Sequence, residues 1–403
     1  MVRRSSSTWA SVALAALAQV AGCSAPGPLD PVASESPRPS PIASPTSDEA
    51  REDTAGEYTL VDAPMEWFTS AGPSEELRNV YALTGDRMVV TVADLSGDRL
   101  VVLAAGSRVE YRVPAGEIVQ NAFLVGDDVV FDTAASNVDD YWITRWDPTT
   151  GDMQTLHQAT GDEAWFSETA VDGTDLYLDV RGHGDTECVL RLDLEAADPA
   201  GGATTVACAE PGMSVGWVKI TNGVLTFLAG NQETACPTMY RVMAPTGSPE
   251  KLAVDGCVSR GIADASWIAW TEPPPVDADG YENYFDADLR VQADGVVHDL
   301  GTAVSGSTAV CDGALYWTWD DMEAPLEPSQ IRRWTPEGGV EVVYHSPDGA
   351  RLNRYATGGV SCRDGVVAFQ RFGWWGSAGQ ELMTSAPLEW VPELNGAGPA
   401  PGT

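Results

Sequence analysis

The residues of this 403-residue sequence whose types and spacing could do chemistry are few: seven cysteines, four histidines, one crowded run of acids and two pairs of clustered aromatics. Beyond Cys23 the cysteines number six, Cys188, Cys208, Cys236, Cys257, Cys311 and Cys362, with no C-x₂-C pairing of the kind a zinc site uses. An even number of this kind in an exported chain reads as three disulfides. His157, His183, His298 and His345 are scattered, with no His-Glu-x-x-His arrangement, and read as loop or surface histidines rather than ligands or bases. Asp277, Asp279, Glu282, Asp286 and Asp288 pack hard oxygen ligands into twelve residues, which could bind Ca²⁺, with Gly280 permitting a tight turn. Their spacing is not that of an EF-hand, and in so acidic a chain the same run also reads as a solvated loop. Tyr281 and Tyr284 crowd that run, and Trp374 and Trp375 stand between Gly373 and Gly376. Exposed rings on loops stack on sugars or grip peptides, so these four are candidate ligand-binding residues. No nucleophile elbow, phosphate loop or dinucleotide fingerprint occurs, and no working pair of carboxylates stands out among 59 acids.

The charge balance narrows the partners. With 59 Asp and Glu against 23 Lys and Arg the net charge is −36, and only Lys219 and Lys251 are lysines. Such a surface repels phosphate backbones, which excludes nucleic acid as a natural partner. At 43% hydrophobic residues with 14 tryptophans, the chain is too apolar to be disordered throughout.

The elements that must position the candidates follow a repeat. From about Glu57 the chain becomes short apolar runs broken by Gly, Asp, Asn and Pro, with no helix-length periodicity. One motif recurs, a small apolar strand, a tight turn and a second strand rich in Val, Phe, Tyr or Trp. Its turns fall at Gly85, Gly126, Gly173, Gly223, Ala265, Gly313 and Gly365, at spacings of 41, 47, 50, 42, 48 and 52. In five units an arginine closes a later strand ahead of a turn: Arg145, Arg191, Arg241, Arg290 and Arg333. Each unit thus holds about four strands in a propeller-blade period. The fold expected is all-β, a β-propeller of seven four-stranded blades over residues 56–395, followed by a disordered tail at 396–403. An N-terminal strand near Glu57–Phe68 is expected to complete the last blade and remove its exposed edge. Several β-sandwiches in series would not explain a turn signature repeated seven times. The loose aromatic repeats over 57–394 resemble the periplasmic TolB-type, WD40-like propellers, although the Trp-Asp dipeptide occurs only at Trp146-Asp147.

The repeat also orders the cysteines. Cys188 and Cys236 begin the third strand of successive units, and Cys208 and Cys257 follow the fourth. In an antiparallel pair the start of one strand faces the end of the next, so Cys188–Cys208 and Cys236–Cys257 are expected to staple outer hairpins. Cys311 and Cys362 precede the turns of units six and seven, leaving them to link neighbouring blades. Trp267, Trp270, Trp317 and Trp319 alternate as strand residues do and are expected to pack between blades.

The first residues set the compartment. Arg3 and Arg4 precede an apolar stretch from Trp9 to about Ala18, too short to span a bilayer but matching a signal-peptide core. It ends in Val20-Ala21-Gly22-Cys23, which resembles the lipobox of bacterial lipoproteins, with Val20 where Leu is usual. The resemblance implies a signal peptide at 1–22, a diacylglycerol on Cys23 and localisation at the cell membrane, lipid-anchored on its extracytoplasmic face. Residues 24–55 hold seven prolines and six serines and no aromatic residue, so 23–55 reads as the lipidated cysteine and a disordered spacer. The functional expectation is a surface-anchored binding or protein-interaction module with a protein or glycan partner. Its rival is an extracytoplasmic hydrolase or lyase acting on a surface polysaccharide at the propeller channel. No cofactor other than calcium is suggested.

Overall fold

Asn222-Gly223 and Asp312-Gly313 show how the repeat becomes structure. In the computed structural model both residues of each pair have positive φ, 49° and 74° in the first and 48° and 77° in the second. That geometry matches the right-handed twist of the strands it joins, so each pair closes a two-residue hairpin turn. The structure describes residues 59–388 apart from 75–76, 85, 95–96, 136–139, 161–168, 182–185, 197, 231–235, 245–246, 255, 274–285, 321–327, 348–349, 353–358, 364 and 374–379. The expected signal peptide, Cys23, the spacer and the tail lie outside these residues.

Six antiparallel sheets follow one another in chain order, each with its first strand innermost. Blade 1 runs from Leu77–Leu83 to Ser107–Arg112, blade 2 from Glu117–Val125 to Met153–Thr160, and blade 3 from Thr169–Asp172 to Thr204–Cys208. Blade 4 runs from Ser214–Thr221 to Glu250–Lys251, blade 5 from Arg260–Ala263 to Val296–Ala303, and blade 6 from Ala309–Cys311 to Gly339–His345. Blade 7 combines both ends of the domain. Ser361–Arg363, Val366–Gly373 and Gln380–Thr384 are followed outward by Phe68–Ser74 from the N-terminal side, and Ala350–Leu352 also pairs with Val366–Gly373. The fold is a seven-bladed β-propeller. The closing strand lies at Phe68–Ser74, a little beyond the stretch expected from sequence. Within that expected stretch, Val61–Asp62 instead pairs in parallel with the outer strand of blade 6.

Seven hydrophobic clusters hold the ring, one at each seam between adjacent blades. Met88, Val90 and Val92 face blade 7, packing with Ala368 and Leu382, whereas Val89 faces blade 2 beside Phe131 and Trp146. Alternate residues of one strand thus enter two different cores, which is why the second strand of each blade reads as a continuous apolar run. Trp267, Trp317 and Trp334 meet between blades 5 and 6, and Trp270 packs between blades 4 and 5. Trp267, Trp270 and Trp317 are therefore seam residues, as their alternation suggested. Trp319 also reaches across the seam, donating from Nε1 to Thr302 Oγ1 of blade 5 at 3.2 Å, and takes the Arg332 guanidinium 4.3 Å above its ring.

The arginine marker has a structural cause. Each blade contains an arginine paired with a carboxylate of its own sheet: Arg99–Glu110, Arg145–Asp128, Arg191–Asp175, Arg241–Glu250, Arg290–Glu272, Arg333–Glu341 and Arg371–Glu381, in blade order. All seven arginines are half-buried, which screens the pairs less than at an open surface. The three disulfides are Cys188–Cys208, Cys236–Cys257 and Cys311–Cys362, with Cα separations of 4.0, 4.8 and 5.4 Å. The first two staple outer hairpins of blades 3 and 4. The third joins the innermost strands of blades 6 and 7, which approach closely enough there for a bridge.

Candidate functional site

Seven innermost strands converge on the propeller axis, and the space they enclose is a cavity of about 570 Å³ to which every blade contributes. Tyr81 comes from blade 1, Asn121 and Phe123 from blade 2, Thr169 and Asp172 from blade 3, and Lys219 from blade 4. Ile262, Asp312 and Cys362 continue the wall through blades 5, 6 and 7. Small and β-branched residues dominate these strands because seven backbones crowd toward one axis, and little room remains for long side chains.

The wall is stiffened by bonds that cross the seams. The Tyr81 hydroxyl donates to the Val119 carbonyl at 2.9 Å. Thr169 Oγ1 donates to Asp132 Oδ2 at 2.7 Å, and the Val215 amide donates to Glu187 Oε2 at 2.8 Å. Trp217 Nε1 donates to the Gly261 carbonyl at 2.7 Å and Trp267 Nε1 to that of Gly313 at 3.2 Å. Cys311–Cys362 completes the series covalently. Six consecutive seams from blade 1 to blade 7 are thus tied near the axis, which fixes the cavity's shape before any ligand arrives.

Asp132 is the most enclosed of these groups, at 1% exposure. Its carboxylate also accepts from the Asn121 amide at 2.7 Å and from Asn121 Nδ2 at 3.1 Å. Burial pushes its pKa up to about 6, against the hydrogen bonds from Thr169 and Asn121 that favour the charged form. It stands behind the wall, holding two lining residues, Asn121 and Thr169, in place.

At the turn end of the cavity the carboxylates lean over neighbouring blades. Asp172 Oδ2 lies over the Gly223 turn of blade 4, and Asp312 lies over Gly365 of blade 7, where an added Cβ would come within 3.3 Å of Oδ2. Asp127 pairs with Arg87 of blade 1 at 3.0 Å, and Asp264 accepts from Asn222 Nδ2 at 3.2 Å. Asp86 is held below the usual carboxylate range, chiefly by the hydroxyl of Thr84. The mouth is acidic. The charged residues lining the cavity itself are Asp172, Asp312 and Lys219.

The sequence candidates that the structure describes lie elsewhere. Asp286 and Asp288 are exposed at the start of the third strand of blade 5, away from the axis. Asp277, Asp279, Glu282, Tyr281, Tyr284, Trp374 and Trp375 lie outside the described residues, as does His183. Among the described residues no group of three or more His, Cys, Asp or Glu side chains is arranged to hold a metal ion. His157, His298 and His345 all sit on outermost strands, of blades 2, 5 and 6, rather than in loops. His345 Nε2 lies 3.0 Å from Asp62. The channel residues Lys219, Asp172, Asp312 and Asn121 were not picked out from sequence. A usable signal existed for one: Lys219 is one of two lysines and lies on the first strand of its unit.

No protein family and no curated protein matches the chain. Solved structures do. A prolyl endopeptidase aligns with a TM-score of 0.55 at 11% identity, covering 78% of this chain and 47% of that one. An oligogalacturonate lyase from Vibrio parahaemolyticus aligns with a TM-score of 0.52 at 11% identity over 81% of this chain and 98% of that one. The β-propeller domain of the Trilobed protease from Pyrococcus furiosus gives 0.50 at 14% identity, over 81% and 99%. The likeness is one of fold. This chain spans about half the length of the endopeptidase, and propellers host unrelated activities.

Proposed function

We propose that this chain is an extracytoplasmic binding module, a β-propeller tethered to the cell membrane through a diacylglyceryl group on Cys23 and a proline-rich spacer. The observation that carries the reading is the axial cavity. It is walled by backbone, hydroxyl, amide and apolar groups from all seven blades, and its charged members among the described residues are Asp172, Asp312 and Lys219. A hydrolase or lyase of a charged polymer would call for several carboxylates with an arginine or histidine converging on the reacting bond. The residues present instead suit recognition, in a rigid pocket of ordinary small-ligand size. The partner is a protein, peptide or glycan outside the membrane and not a nucleic acid, given the net charge of −36.

Affinity capture with the exported portion from residue 56 onward, followed by peptide and glycan arrays, tests this. A discrete ligand retained unchanged is expected. Release of shortened or unsaturated sugar products from a surface polysaccharide would overturn the reading in favour of the enzyme. For the anchor, Cys23→Ala is expected to abolish labelling by radioactive palmitate, and unchanged retention in the membrane fraction contradicts it.

A further inference from the structure

Lys219 and Arg260 break the pattern of matched charges. The Lys219 ammonium lies 4.6 Å from the centroid of the Trp217 ring, and the Arg260 guanidinium carbon lies 4.5 Å from the same centroid. Lys219 comes from the innermost strand of blade 4 and Arg260 from that of blade 5, two residues before the lining residue Ile262. Arg260 donates from Nη1 to the Ser259 carbonyl at 2.9 Å. Neither cation has a carboxylate partner among the described residues, in a chain with 59 acids to choose from.

Two like charges gathered on one ring, both half-buried and without a counter-ion, raise the free energy of the empty site. The ring's electrons offset only part of that cost. The geometry holding them is itself strained. Trp217 is 6% exposed and has φ of 54°, a conformation rare for a bulky side chain, at an irregularity in the pairing between Gly216 and Lys219. Its indole is pinned by the bond to Gly261, so the strain is maintained by the seam between blades 4 and 5.

We propose that Lys219, which lines the axial cavity, and Arg260, which shares the Trp217 ring with it, form an oxyanion subsite, and that its ligand is a short peptide bound through its free carboxylate. The proposal rests on the binding-module reading and names that module's ligand class. The cavity supplies the second half of the recognition. Asp172 and Asp312 line the same space as Lys219, so a ligand carrying one carboxylate and one ammonium meets charges of both signs. A polyanionic chain such as a run of uronic acids satisfies the cations but brings its remaining charges against Asp172, Asp312 and the acidic mouth. A volume of about 570 Å³ accommodates two or three amino-acid residues.

Calorimetry on the full chain with trialanine, its C-terminal amide and trigalacturonate distinguishes the possibilities. Trialanine is expected to bind, with affinity falling roughly tenfold or more on amidation, and by as much with Lys219→Met or Arg260→Gln. The amide comparison needs no variant, so it stands even where a substitution impairs folding. Far-ultraviolet circular dichroism checks the variants. Failure of the wild-type chain to bind trialanine, equal binding of the amide, unchanged affinity in both variants, or preference for trigalacturonate each overturns the proposal. A ligand found on the arrays that binds both variants as tightly as wild type leaves the binding module standing while removing this subsite, so the two failures are separable.

Discussion

The arginines of the blades and the cations of the channel wall carry the same charge in the same domain and are treated differently. Each of the seven paired arginines meets a carboxylate of its own sheet, and Arg371 additionally donates from Nη1 to the Tyr344 hydroxyl at 2.8 Å. Lys219 and Arg260 meet an indole instead. The repeat explains the first arrangement: each sheet places an arginine on one of its two middle strands, the third in blades 1 to 6 and the second in blade 7, where a carboxylate on or just after an adjacent strand meets it. In blade 6 Arg332 also lies over an indole, that of Trp319, but there a single cation meets the ring; among the described residues the Trp217 ring alone gathers two. The contrast teaches that in a repeating fold the departure from the repeat, rather than the repeat, marks the place where a ligand is expected.

The contrast can be broken in four ways, the first of them at the ring that gathers the two cations. Trp217→Ala empties a buried seam position and is expected to cost about 3–5 kcal/mol in urea unfolding, while leaving all seven blade pairs intact. A loss below about 1 kcal/mol means the indole does not brace the seam.

Asp132 sharpens the comparison from the acid side, because its partners Asn121 and Thr169 are neutral donors rather than cations. Its folded-state pKa of about 6 stands above the ordinary value of 3.8, so the native chain holds the proton more tightly than the unfolded one. The resulting stabilisation is complete below the unfolded value and is lost as pH rises through about 6. A fall of about 3 kcal/mol across that window is expected from this group. Asp132→Asn is expected to flatten that part of the profile, and urea midpoints from pH 4 to 7 in the two proteins check it.

Arg333→Gln tests a blade pair. It leaves Glu341, 22% exposed, without its cation and is expected to cost about 1–2 kcal/mol with no change in trialanine binding. A double-mutant cycle with Glu341→Gln isolates the pair. Lys219→Met should change stability least, by under about 0.5 kcal/mol or in the stabilising direction, since it removes an unmatched charge. A cost as large as that of Arg333→Gln would show that Lys219 is structural after all and erase the distinction.

Much of the fold was legible because its signals are local. Asn222-Gly223 and Asp312-Gly313 form tight turns whatever surrounds them, and a turn fixes the register of its hairpin. That register carried Cys188 to Cys208 and Cys236 to the turn beside Cys257. The strand closing blade 7 was placed a few residues early, because a single strand pairing with the far end of the chain has no local turn to set it. The channel was not legible. Asp277 and Trp374 drew notice as clusters, a property of neighbouring residues in sequence, whereas Lys219, Arg260, Asp172 and Asp312 belong to four different blades.

The sequence by itself determined seven units, their hairpins and the intra-blade disulfides, since turn chemistry and two-residue alternation act over a few residues. Only the closed ring decided that the first strand of every unit faces one axis and that Arg260 reaches the ring of Trp217. It also decided that Asp132 is sealed behind Asn121 and Thr169. Thr169 lies 37 residues from Asp132 and across a seam, and Arg260 meets Trp217 across the next seam but one, contacts that exist only after the blades have buried their shared apolar faces against one another.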